Sequence, residues 1–152
     1  MRMPAERIEE LVESHRAWIE SHLARIPQQD NEDKLSPEEL VELVEKANVV
    51  FPQRVAYYAT QMGVTYGRIT IRKQRTKWGS CSSKGNLNFN ALLMLAPPPV
   101  QDYIVVHELA HRKHLNHSTQ FWTEVEKMLP DYRRQEAWLK TNGNLLMGKL
   151  FD

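Results

Sequence analysis

His107-Glu108-Leu109-Ala110-His111, continued by Arg112-Lys113-His114-Leu115-Asn116-His117, is the stretch around which the chain is organised. Residues four apart in a helix stand one turn above one another, so His107 and His111 can present two imidazoles to one ion while Glu108 leans into the same space. That is the HExxH arrangement of zinc metalloproteases. A catalytic zinc takes three protein ligands and keeps one position open, so a third ligand must come from elsewhere. His114 shares the helical face, but on a straight helix it would lie roughly 10 Å along the axis from His107, too far for bonds of about 2 Å. His117 can reach if the chain turns back near Leu115-Asn116, where Asn tolerates the left-handed conformation that ends helices and Ser118 can cap the next one. His117 is therefore the expected third ligand, with His114 or a downstream carboxylate such as Glu124 as alternatives.

Several further motifs stand in order along the chain: Trp78-Gly79-Ser80-Cys81-Ser82, Asn86-Leu87-Asn88-Phe89-Asn90, Leu95-Ala96-Pro97, Val105-Val106 before the HExxH, and Asn116-His117-Ser118 with Phe121-Trp122 after it. Together they resemble the YgjP-like metal-dependent hydrolases, relatives of the SprT and WLM zinc peptidases, over roughly Leu40 to Asn142. The resemblance implies a zincin-like fold, one catalytic Zn2+ on His107, His111 and His117, and Glu108 as catalytic acid/base. It also implies that the strand carrying Trp78, Gly79 and Ser80 borders the site. The β-rich segment that opens longer members has no counterpart in this sequence, and substrate capture by such a segment is not carried over.

At 152 residues, with 41% hydrophobic residues and no long apolar run, the chain suits one compact soluble domain. It does not suit a membrane protein or a disordered one. The lone Cys81 cannot form an internal disulfide, and the charged beginning does not resemble a signal peptide. A cytoplasmic location is expected. The net charge of +1 hides an asymmetry: residues 1–45 carry twelve acids and five bases, residues 46–101 eight bases and no acid, and residues 102–152 seven of each. Acidic N-terminal helices packing on the basic middle would account for this. The alternative is a phosphate-binding rim of Arg72, Lys73, Arg75 and Lys77, with Arg68 beside it, which would suit a nucleotide or phosphoester hydrolase or a protease acting on nucleic-acid-bound proteins. Nucleic acid is the less favoured partner, a peptide or protein substrate the favoured one.

Ile8, Leu11, Val12, His15, Ile19, Leu23 and Ile26 recur at helical spacing, predicting an N-terminal amphipathic helix over residues 1–27. Its His15 and His22 have no HExxH-like partner. A polar linker follows, and residues 36–152 form the zincin-like unit. Ser36-Pro37-Glu38-Glu39 is a capping box that opens a helix expected to kink or break at Pro52 and stop at Gly63. Alternation around Ile69 and Ile71, then Trp78–Ser82 and Leu87–Asn90 about a Ser83-Lys84-Gly85 turn, predicts a small antiparallel sheet of about three strands. Pro97-Pro98-Pro99 opens the zinc helix, Ser118 the next, and Asp131 a last helix ending at Gly143. The expected class is α+β, with helices around that sheet. His114 and Tyr132 are candidate oxyanion or substrate contacts. A non-catalytic module that keeps zinc for structure is a third reading, against which Glu108 speaks, since a structural zinc needs no base.

Overall fold

The computed structural model describes residues 34–150. The N-terminal helix over residues 1–27 and its two histidines, and any packing of that acidic segment on the basic middle, lie outside the described residues.

Helix α1 spans Pro37–Met62. Ser36 caps it reciprocally: its Oγ accepts from the Glu39 amide at 3.1 Å, and Oε1 of Glu39 accepts from the Ser36 amide at 3.0 Å. Gly63, at φ 70°, ends it in the left-handed conformation that costs glycine least. Pro52 does not break it. The proline removes one internal hydrogen bond, but Ala47, Phe51, Val55 and Ala59 are all buried on one face, and their packing outweighs the lost bond. Phe51 lies flat on Phe89 with ring centroids 4.6 Å apart, which joins the helix to the sheet.

Three strands follow, β1 (Ile69–Arg72), β2 (Gly79–Cys81) and β3 (Leu87–Asn90), in the spatial order β1-β3-β2. The strand count is as the sequence suggests, but the sheet is mixed. β2 and β3 form the antiparallel hairpin, turning at Gly85 with φ 89°, whereas β1 pairs with β3 in parallel, Ile69 opposite Leu87 and Ile71 opposite Phe89. The cause is burial. Leu87 and Phe89 are fully buried, so β3 takes the centre and its predecessors take the two edges. The short 73–78 connection crosses one end of the sheet and reverses the chain, which leaves β1 antiparallel to β2 and therefore parallel to β3.

A 3-10 helix (Ala91–Leu95) leads into α2 (Pro98–Ala110), with Pro98 in its first turn. Gln101, buried, ties the two together through hydrogen bonds from Nε2 to the carbonyls of Leu93 and Ala96. An Arg54–Asp102 ion pair fastens α1 to α2. Helix α3 (Thr119–Met128) is capped by the Ser118 hydroxyl, which accepts from the Phe121 amide. Helix α4 (Tyr132–Met147) runs straight through Gly143, the expected stop, because Trp78 packs against that glycine and the flanking turns stay docked.

Candidate active site

Helix α2 is buried along most of its length, which fixes the orientation of whatever its last turn carries. That turn carries His107, with His111 as the C-cap. The helix ends at Ala110, earlier than a turn at Leu115-Asn116 would require. The amides of His111, Arg112 and Lys113 bond back three residues, to Glu108, Leu109 and Ala110, tightening the end into a turn. Arg112 then locks the turn from outside, its Nε donating to the Thr65 carbonyl at 2.8 Å and Nη1 to the Ser83 carbonyl. The chain doubles back, and His117 arrives one residue before the Ser118 cap.

His107, His111 and His117 each offer a ring nitrogen, all within 4.8 Å of one another. The Nε2 atoms of His107 and His117 are 3.3 Å apart. Ligand nitrogens about 2.0–2.1 Å from one tetrahedral ion stand roughly 3.3 Å apart, so this spacing fits a shared metal. The electrostatics fit as well. Burial first, then the neighbouring His111 and His117, pull the His107 pKa down to about 4, and burial also lowers that of His111. Both rings are thereby held neutral, the form in which imidazole binds metals. Nδ1 of His111 donates to the carbonyl of His114 at 3.1 Å, which leaves Nε2 free. His114 thus contributes its backbone, and its ring is not part of the trio. Glu124 stays outside too, its carboxylate paired with Lys113 at 3.2 Å and Lys127 at 3.5 Å.

Nδ1 of His107 is buried and finds no hydrogen-bond partner among the described residues, so ring contacts orient this imidazole. Phe121 touches all three histidines, with centroid separations of 5.0, 4.6 and 4.9 Å to His107, His111 and His117. Trp122 stacks on His117 at 5.9 Å and on Tyr132 at 5.3 Å, and Tyr132 in turn stacks on Tyr103. Tyr132 is buried in this aromatic wall, where its hydroxyl accepts from Arg133 Nε at 3.3 Å. From the sequence Phe121 is a motif residue on the buried face of its helix, and its contact with all three histidines comes only from the fold.

Glu108 is 6% exposed, and burial raises its pKa to about 7, with Lys77 pulling the other way. Its carboxylate lies against β2: a Cβ on Gly79 would meet Oε2 of Glu108, Cγ2 of Ile104 and the Asn88 carbonyl, each at 3.1 Å. A larger residue here would push these neighbours back by a few tenths of an ångström. Trp78 and Gly79, together with Lys77, Tyr103, Ile104 and Leu139, line a cavity of about 380 Å³ that reaches His107 and Glu108. Ser80 falls on the opposite face of the strand, as alternation requires, and its Oγ accepts from Asn88 Nδ2 at 3.0 Å. Cys81 is half-buried, with its thiol pKa raised by burial and then by Glu108.

Asn90 is the residue whose role the sequence hid. It is fully buried, donates from Nδ2 to the carbonyls of Gln74 and Lys77, and accepts at Oδ1 from the Leu92 amide. Its own amide donates to the Trp78 carbonyl. One side chain thus suspends the 74–78 loop from the central strand. The basic residues of this loop diverge. Arg72 donates to Asn88 Oδ1 and Arg75 to the Leu150 carbonyl, while Lys73 is exposed and Lys77 faces Glu108.

Fold and site together are those of a small metallopeptidase domain. The chain belongs to the YgjP-like family, whose metallopeptidase domain matches residues 42–142. The crystal structure of the zymogen of abylysin, a metallopeptidase from Pyrococcus abyssi, is similar over 61% of this chain and 94% of its own, with 25% identity and a TM-score of 0.57. That of the zymogen of jannalysin, a metallopeptidase from Methanocaldococcus jannaschii, shares the fold over 62% of this chain and 96% of its own, with 23% identity and a TM-score of 0.52. No curated protein sequence matches the chain. No helix among the described residues is long and apolar enough to cross a membrane.

Proposed function

We propose that the chain is a zinc-dependent peptidase in which His107, His111 and His117 hold the ion and Glu108 is the general base. The observation that carries this reading is the convergence of three imidazole nitrogens beside a buried carboxylate that abuts an edge strand. All-nitrogen ligation in a small cluster suits zinc better than the hard, oxygen-seeking cations. When bound, zinc supplies a Lewis acid for the scissile carbonyl and for the attacking water.

The chain's own residues do the rest. Glu108, with its pKa near 7, takes the proton of the attacking water and delivers it to the amine that leaves. Among the described residues β2 pairs with β3 alone, and its other edge would take the backbone of an extended peptide running past Glu108 at Gly79. The aromatic wall of Phe121 and Trp122 keeps the imidazoles from rotating away.

The test is Glu108→Gln in zinc-loaded protein. The amide keeps the shape of the carboxylate without its basicity, so zinc content and melting temperature should hold while peptide hydrolysis falls by about 100-fold or more. Equal turnover by both proteins would remove Glu108 from the role.

A further inference from the structure

Glycine inside a helix costs stability relative to alanine, so a buried one within α4, a turn before its end, calls for a reason. Gly143 has one: a Cβ there would stand 3.3 Å from Cζ2 of Trp78 and 3.7 Å from its Nε1, close enough that the indole would have to give by a few tenths of an ångström. Trp78 is also a wall of the cavity beside Glu108. On α4, Glu136, Leu139 and Lys140 face that cavity, and Gly143 follows on the same side of the helix at the next turn. The glycine is thus the notch into which the indole is set back.

We infer that Gly143 is a specificity-determining position, which by seating Trp78 opens the cavity to a bulky apolar side chain on the substrate residue whose amine leaves. This rests on the peptidase reading above. The side of the scissile bond follows from chemistry: Glu108 must reach the leaving amine, and the cavity begins at Glu108, so it receives the side chain of the residue bearing that amine. The preference follows from the walls. Trp78, Tyr103, Ile104 and Leu139 present apolar surface, and the volume of about 380 Å³ admits an aromatic ring. The charged groups offset one another: Glu136 and Lys140 are one turn apart on α4, and Lys77 faces Glu108. No net charge is left to select an acidic or basic side chain.

The experiment uses the full-length, zinc-loaded protein and a peptide mixture whose cleavage sites are read by mass spectrometry. Wild type should cut before Leu, Phe and Trp at least tenfold faster than before Ala. Gly143→Ala should lower that ratio severalfold, through KM for the bulky substrates, with cleavage before Ala little changed. Adding Trp78→Phe, which removes the ring that carries Cζ2, should restore it. Trp78→Phe alone, in the wild-type background, should shift preference further towards Trp, and this variant decides the matter if Gly143→Ala fails to fold. An unaltered profile in the folded variants, or an equal loss on all peptides, overturns the inference. Should wild type cleave nothing, the peptidase reading falls, and the cavity is judged by calorimetry with the free dipeptides Phe-Ala and Ala-Ala. Tenfold tighter binding of Phe-Ala supports it, and equal binding overturns it.

Discussion

Gly79 and Glu108 meet with no room between them: any side chain on the strand residue would press on the carboxylate, at 3.1 Å for the first carbon alone. Gly79→Ala should therefore displace Glu108 by a few tenths of an ångström without touching the metal ligands. The expected result is a fall of roughly tenfold to a hundredfold in kcat/KM with zinc content unchanged, since small misplacements of a proton-transfer group are costly. Peptide hydrolysis and metal analysis on the same preparation check it; retained activity would show that the carboxylate tolerates the shift.

The two histidines that the sequence left in competition differ in what they offer, one a ring and the other a carbonyl. His117→Ala should lose most of its zinc on dialysis, whereas His114→Ala keeps the carbonyl that orients His111 and should stay loaded. The opposite ranking would reassign the third ligand.

In metal-free protein His107 should contribute acid sensitivity with a definite sign. The folded pKa of His107, about 4, lies below its unfolded value of about 6.5, so the unfolded chain binds more protons between those limits. The contribution of a neutral His107 is fully present above pH 6.5 and is lost as pH falls towards 4, about 3 kcal/mol in all. Glu108, raised to about 7, acts in the opposite direction over much the same range, so urea melts of chelator-treated wild type and His107→Gln from pH 7.5 to 4 isolate the effect as a difference, and a difference that does not vary with pH would contradict the burial of this ring.

Asn90→Ala removes the hydrogen bonds of a buried side chain and leaves the Gln74 and Lys77 carbonyls and the Leu92 amide without it. A loss of about 2–4 kcal/mol is expected, with substrate turnover falling before the fold does, because the loop carries Trp78 into the site. Denaturant titration and peptide cleavage on the folded fraction separate the two effects.

What could be read in advance was local. The Ser36/Glu39 capping box, the Ser118 cap and the His107/His111 spacing are decided within four residues, and each stands where the sequence puts it. What could not be read depended on distant partners. Pro52 and Gly143 are helix breakers by propensity, and only the packing of Phe51 on Phe89 and of Trp78 on Gly143 overrides them. The parallel pairing of β1 depends on which strand is most deeply buried, and alternation within a strand does not state that. Phe121 and Asn90 stand in motifs and in a helix and a strand that the sequence predicts, but what each touches, three imidazoles for one and the 74–78 loop for the other, depends on segments distant in the chain.

The bond from His111 to the backbone of residue 114 has a genetic corollary. A carbonyl is present whatever side chain is encoded, so the orientation of His111 places no demand on the side chain at position 114. The number of residues between 111 and 117 is not free, because that count sets both where the carbonyl falls and where the third imidazole lands. Single-codon deletions or insertions in this interval should abolish zinc retention where missense changes at 114 and 115 do not, making the segment one whose length, and not its spelling, is under selection.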